Sequence, residues 1–290
     1  MERSTPVSLP AELSSARLLE IKDQVALLAR EVGRWAKGRH DLHHGGKSTL
    51  AVNVKTVPGD VVTEVDVEAQ RRIVQELREL YPTFDLLGEE GLLDVGDDPA
   101  NAAPLWVIDP VDGTHNFVKG YPSFCVSIGL VVNGTSVLGV IYDAASDSVY
   151  WAVEGEGAWH EERRIQLTPL PLSQALIATN FTPVSRGNTG HRDFFVGLAE
   201  RCAGVRASGS ACRDFCFVTE GTVDLFWQFG LAAWDVAAGM VLTREAGAAV
   251  RILNPEDDWL AGGPIDMVVA APSLVDEALE VGLPLLNNPD

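Results

Sequence analysis

Within WVIDPVDGTHNF, residues 106 to 117, two carboxylates stand three positions apart at the end of an apolar run. Asp109 falls where a strand leaves its sheet, Pro110 stiffens the exit, and Asp112 brings a second carboxylate back. So short and stiff a spacing lets both side chains and the Val111 carbonyl face one point, the all-oxygen set that a hard cation such as Mg²⁺ prefers. Gly113 permits close backbone approach, and Thr114 adds a hydroxyl beside the carboxylates. An ordinary Asp-Gly turn has the same letters. Here, however, the pair follows a buried-type strand, a hydroxyl accompanies it, and acids in apolar contexts recur elsewhere.

Three such contexts stand out. In FDLLGEEG, residues 84 to 91, apolar residues lead through Gly88 to Glu89 and Glu90, a pair that alone reads as surface charge. In AAWDVAAG, residues 232 to 239, Asp235 lies in an almost wholly apolar stretch at a helix start, where it reads as the N-cap with its carboxylate aimed outward. In DVVTEVD, residues 60 to 66, Thr63 is placed to cap a helix whose first turn contains Asp66.

The elements that position these acids follow from periodicity. Leu18, Ile21, Val25, Leu28, Val32 and Trp35 recur three and four apart, which predicts a long amphipathic helix over 11–39. The stretch HDLHHGG then ends it, with His40, His43 and His44 in a solvated loop. Val65, Ala69, Ile73, Leu77 and Leu80 mark a second helix closed by Tyr81-Pro82. Strands are expected at 105–108, 125–133, 136–143 and 148–153, with Asn133-Gly134 as a hairpin turn. The Pro-punctuated passage EERRIQLTPLPLS, residues 161 to 173, marks a boundary. Beyond it, strands at 175–179, 223–228, 249–253 and 267–271 alternate with helices at 193–202, 211–220, 234–246 and from 273. The expectation is an N-terminal α+β half over 11–160 with a largely antiparallel sheet, and a C-terminal α/β half over 161–290. Residues 1–10 read as a flexible tail.

Composition narrows the function. The 290 residues are 46% hydrophobic and 22% charged, and 22 Lys and Arg against 41 Asp and Glu give a net charge of −19. Such an excess repels a phosphate backbone or an anionic bilayer, which argues against nucleic-acid and membrane partners. A phosphate-bearing molecule can still be handled once cations are collected. No basic segment followed by an apolar core opens the chain, and no apolar run approaches the roughly 20 residues that span a bilayer. Cys125, Cys202, Cys212 and Cys216 lack CxxC spacing and read as buried reduced thiols of a cytoplasmic protein.

The pieces together resemble a known family. Asp109-Pro-Val-Asp-Gly-Thr-His-Asn-Phe117 looks like the signature of the inositol monophosphatase family, and Trp234-Asp235-Val-Ala-Ala-Gly239 resembles its second signature. Gly88-Glu89-Glu90 and Asp60-Val-Val-Thr-Glu-Val-Asp66 match two further motifs in the expected order, so the resemblance covers roughly residues 15 to 280. It implies the layered αβαβα sandwich of the sugar-phosphatase type, a Li⁺-sensitive homodimer, and two or three Mg²⁺ per site. By the same resemblance, Glu89, Asp109 and the Val111 carbonyl hold one ion. Asp109, Asp112 and Asp235 hold a second, and Glu89 assists a third. Thr114, polarised by Asp66, works with Glu89 on the attacking water. Backbone amides of Gly113 and Thr114 grip phosphate, and Lys55 falls where the family has a lysine near the site.

Substrate contacts are implied at Gly209, Ser210, Ala211, Gln228 and Asp235. At Gln228 the inositol enzymes usually place a glutamate, so a charge-assisted bond worth ~1 kcal/mol more than a neutral one is given up. His115 reads as a rim residue. The expected reaction is Mg²⁺-dependent hydrolysis of a small polyol or sugar monophosphate, myo-inositol monophosphate foremost. Histidinol phosphate, fructose 1,6-bisphosphate and 3′-phosphonucleotides are the alternatives, the last needing base-stacking that Trp227 or Phe229 could supply. A regulatory binding protein on the same scaffold is the reading from another class.

Overall fold

In the computed structural model, which describes residues 13–55, 61–91, 93–94, 103–180, 188–255 and 259–286, the first long element is helix α1 (Ser15–His44). The expected tail at 1–10 and Asp60 of the fourth motif lie outside the described residues. Ser14 caps α1 by accepting from the Arg17 N–H, and Leu18, Ile21, Val25, Leu28 and Val32 are buried along one face. The helix runs on past Arg39, which corrects the loop reading of the three histidines. His40 packs against the Phe117 and Phe124 rings, and His44 Nε2 lies 3.0 Å from the Phe117 carbonyl. That aromatic packing, invisible in local polarity, holds the last turn until Gly45.

The chain continues through β1 (Val52–Val54), β2 (Val61–Thr63), α2 (Glu64–Leu80), β3 (Asp85–Gly88), β4 (Leu93–Asp94) and β5 (Leu105–Asp112). Next come α3 (Thr114–Lys119), β6 (Cys125–Val132), β7 (Thr135–Asp143), β8 (Ser148–Val153), β9 (Gly157–His160) and β10 (Arg163–Ile165). The rest is β11 (Leu176–Ala178), α4 (Thr189–Ala199), β12 (Gly204–Arg206), α5 (Ala211–Glu220), β13 (Leu225–Leu231), α6 (Ala233–Glu245), β14 (Ala249–Ile252), β15 (Ile265–Ala270) and α7 (Pro272–Leu286). No described helix is long and apolar enough to cross a membrane.

An eight-stranded sheet has the order β10-β9-β8-β7-β6-β5-β3-β4, antiparallel except between β3 and β5. A five-stranded sheet, β12-β11-β13-β15-β14, is parallel on its first side and antiparallel on the other. Strands β5, β6 and β7 read as continuous apolar runs because helices cover both faces, α1 and α2 on one side and α6 on the other. Helices α5 and α6 lie between the sheets, and α4 and α7 pack outside the second. This is the αβαβα layering expected from the resemblance. Gly129 and Gly139 are cross-strand partners, and a Cβ on either would strike α6 at Ala237 and Ala238. Their bareness seats α6 directly on the sheet and so fixes the height of its N-terminus, where Asp235 stands.

Candidate active site

Strand β5 does not end at Ile108 but carries on through both acids. Asp109 pairs with Ser127 and Asp112 with Cys125, so three steps along β5 match two along β6. This bulge forms around Pro110, which has no N–H to give to the ladder. Val111 N donates to Asp109 Oδ1 at 3.1 Å, while the Val111 carbonyl accepts from Thr114 Oγ1 at 3.0 Å. Asp112 is held by the start of α5: Cys212 N donates at 2.8 Å, Ala211 N at 3.3 Å, and the Ser210 hydroxyl also donates to it. Side-chain ligand atoms of Asp109, Asp112 and Cys212 lie within 4.8 Å of one another.

Glu89 follows β3, and its N–H continues the pairing by donating to the Ile108 carbonyl at 3.2 Å. The next residue, Glu90, donates its N–H to Gln70 Oε1 at 2.9 Å. Gly88 is bare because a Cβ there would run into that same Gln70 amide. Lys55 Nζ reaches Glu89 at 2.8 Å and Glu90 at 2.6 Å. Asp235 is the third residue of α6, not its N-cap, because the helix begins two positions earlier, after Ala232. Its carboxylate turns back to accept the Ala232 N–H at 2.7 Å, a use of the side chain that corrects the cap reading while keeping it at the helix mouth.

The acids are electrostatically one group. Burial pushes Glu89 up to about 7 and Asp235 up to about 8, with the Asp112 charge adding to the Asp235 shift. Burial lifts Asp109 well above the usual carboxylate range, and the charges of Glu89, Asp112 and Asp235 push the same way. Asp112 is also raised by burial, against the pull of the Ser210 hydroxyl and the α5 N–H groups. For Lys55, burial opposes the charge, yet Glu89 and Glu90 outweigh it and hold the ammonium more firmly protonated than usual. The adjacent carboxylates of Asp109 and Asp112, with the charges of Glu89 and Asp235 acting on Asp109 and one lysine against Glu89, form an oxygen-rich donor set short of positive charge. The set fits divalent cations.

Beside them, Asp66 Oδ1 accepts from the Thr114 hydroxyl at 2.7 Å, and Oδ2 accepts from Thr63 N at 3.0 Å in a capping box at the start of α2. Gly113 is the left-handed N-cap of α3 at φ 90°, and a Cβ there would meet the Ser123 carbonyl at 2.7 Å. Of the expected substrate contacts, Gly209 is exposed, whereas Ser210 and Ala211 are buried with their donors on Asp112. Gln228 is mostly buried, its Oε1 accepting from Asn180. His115 is exposed. Trp227 and Phe229 are buried in the second sheet's core, Phe229 stacked on His191 at 3.9 Å, so neither is free to stack on a base. That corrects the possibility raised for the nucleotide alternative.

Sequence reading missed three participants. Gln70 shares the buried face of α2 with Asp66, Ala69 and Ile73, so a polar residue on an apolar stripe was the available signal. Asn180 follows the end of β11, a place where side chains converge on sites. Cys212 carried no signal beyond lying two residues after Ser210.

The inositol monophosphatase family model matches residues 21–280. Inositol-1-monophosphatase of Mycobacterium bovis is 35% identical over 275 residues, covering 91% of this chain and 92% of that protein. The Nus factor SuhB of Pasteurella multocida is 37% identical, over 90% of this chain and 94% of its own length. Among solved structures, the extragenic suppressor protein SuhB of Bartonella henselae superposes with a TM-score of 0.81 at 28% identity, covering 93% of this chain and 100% of that one. With the acids gathered as described and the match running almost end to end, the chain belongs to the inositol monophosphatase family.

Proposed function

We propose that this chain is a Mg²⁺-dependent phosphomonoesterase acting on a small polyol or sugar monophosphate, myo-inositol monophosphate first among them. The observation that carries the reading is the buried pair Asp109 and Asp112, with the charges of half-buried Glu89 and Asp235 acting on Asp109, beside the Thr114–Asp66 hydrogen bond. Glu89, Asp109 and the Val111 carbonyl would hold one Mg²⁺, and Asp109, Asp112 and Asp235 a second, with Glu89 assisting a third. Bound there, Mg²⁺ supplies the charge that attracts phosphate, acidifies a water and stabilises the leaving oxygen.

The remaining work belongs to the chain's own groups. Thr114 gives its proton to Asp66 or the Val111 carbonyl, which leaves its oxygen lone pairs to orient the attacking water. Glu89 would accept a proton from that water. The backbone amides of Gly113 and Thr114 would hold phosphoryl oxygens, as N–H groups at a helix start do. A Li⁺-sensitive cytoplasmic homodimer completes the reading, in keeping with the four free thiols.

The M. bovis relative, named as an inositol-1-monophosphatase, supports this substrate class. The P. multocida relative, named as a Nus factor, supports a second reading as a regulatory binding protein. Phosphate release from myo-inositol monophosphate with Mg²⁺, abolished by Asp109→Asn, is the result expected of the enzyme. No release from sugar, inositol, amino-alcohol or nucleotide phosphates under the same conditions would transfer support to the regulatory reading.

A further inference from the structure

A chain of hydrogen bonds runs from Gly209 through Asn180 to Asp214 and Gln228. Gly209 lies against Gly113, whose Cβ, if present, would approach the Gly209 carbonyl to 3.4 Å. The Gly209 N–H donates to Asn180 Oδ1 at 2.7 Å. Asn180 Nδ2 in turn donates to Asp214 Oδ2 at 2.9 Å and to Gln228 Oε1 at 2.9 Å.

The polarity of this chain is fixed at its origin. A backbone N–H can only donate, so the Asn180 atom facing Gly209 is its oxygen, and the opposite edge is its NH₂. Both NH₂ hydrogens are then used, one on Asp214 and one on Gln228. The atom that Gln228 turns toward Asn180 must therefore be Oε1. The orientation of both amides follows from one peptide group and needs no assumption about the charge of Asp214, which is fully buried. Gln228, one of the substrate contacts implied by the family resemblance, is left with its NH₂ edge, which nothing among the described residues hydrogen-bonds.

We propose that Asn180 is a specificity-determining positioning residue: it locks the Gln228 carboxamide with its N–H donors toward the substrate, so the site selects phosphate esters presenting a hydrogen-bond acceptor there. A hydroxyl, ether or carbonyl oxygen satisfies that edge, and an ammonium group does not. A glutamate at this position would offer the reverse polarity, since a carboxylate only accepts. The inference rests on the phosphatase reading above and assigns the kind of ester that it takes.

The test measures Mg²⁺-dependent kcat/KM for myo-inositol monophosphate analogues in which one ring hydroxyl at a time becomes fluorine, which only accepts, or ammonium, which only donates. The exchange variant Asn180→Asp with Asp214→Asn keeps the network's hydrogen bonds but turns an oxygen toward Gln228, so its amide must flip without any change at position 228. At one ring position, the fluoro-to-amino ratio is expected to fall at least ~10-fold in this variant relative to the unaltered chain, with other positions unmoved. Gln228→Glu should give the same fall and keeps the question answerable should the exchange variant not fold. A ratio unchanged in folded variants that still hydrolyse the parent ester overturns the assignment of Asn180. Failure of the unaltered chain to hydrolyse the parent ester at all would instead count against the phosphatase reading.

Discussion

The Thr114 hydroxyl donates to Asp66 Oδ1 at 2.7 Å, tying the first residue of α3 to the first turn of α2 across 48 positions of sequence. The other Asp66 oxygen closes the capping box with Thr63, so one carboxylate both starts a helix and aims a hydroxyl. Asp66→Asn places an NH₂ where that hydroxyl must donate. The expected outcome is a fall in kcat of about 100-fold with little change in KM, the size of a lost general acid–base contribution. Thr114→Val should match it, whereas Thr114→Ser should keep most activity. Steady-state kinetics on the three variants decides, and a wild-type kcat in Asp66→Asn would remove Thr114 orientation from the mechanism.

Stability of the metal-free protein should fall as pH rises. Glu89 and Asp235 titrate at about 7 and about 8 when folded, well above ordinary carboxylates, so the folded chain holds more protons than the unfolded one in between. Stability is then fully present below the ordinary carboxylate range and is lost as pH rises through those folded values. The limit is about 1.4 kcal/mol per pH unit for each extra proton. Urea unfolding in chelator should show a lower midpoint at pH 8 than at pH 5, with Mg²⁺ restoring the midpoint at pH 8. Asp109→Asn removes a charge from the cluster and should raise the metal-free midpoint at pH 8 while abolishing hydrolysis.

Lys55 supplies positive charge to Glu89 at 2.8 Å and thereby restrains the rise caused by burial. In Lys55→Met that restraint is gone, and Glu89 should bind its proton more tightly. In chelator, the Glu89 carboxyl titration followed by NMR should move upward in this variant relative to the unaltered chain. An unmoved titration would remove Lys55 as the restraint on Glu89.

Gln70 carries the Glu90 N–H and occupies the space that a side chain at Gly88 would need. Gly88→Ala should displace this amide and shift Glu89 from its neighbours, giving weaker Mg²⁺ dependence and a stability loss of about 1–3 kcal/mol. Gln70→Leu, which leaves Gly88 its room, should lose stability but retain more activity. The two variants compared by urea unfolding and Mg²⁺ titration separate the steric effect from the lost hydrogen bond.

Most elements were legible in the sequence because their periodicities are local: the α2 stripe and the runs of β6, β7 and β8 each show their own burial pattern, while the layering came from the family resemblance. The motif around Asp109 was legible for the same reason, being a bulge written into one strand by Pro110. Contacts that depend on distant packing were not. The end of α1 is set by Phe117 and Phe124, far along the chain from His40. The use of Ser210 and Ala211 to hold Asp112 depends on where α5 meets β5, and Asn180 acts through Gln228 on another strand. Local letters carry none of that.

Diffraction from crystals soaked in Mn²⁺ probes the shared ligand shell most directly. Anomalous peaks should appear about 2.0–2.3 Å from carboxylate oxygens of Glu89, Asp109, Asp112 and Asp235, with at least two of these acids on one ion. Peaks confined to other carboxylates, or no peak among these four at saturating Mn²⁺, would contradict a divalent centre built from them.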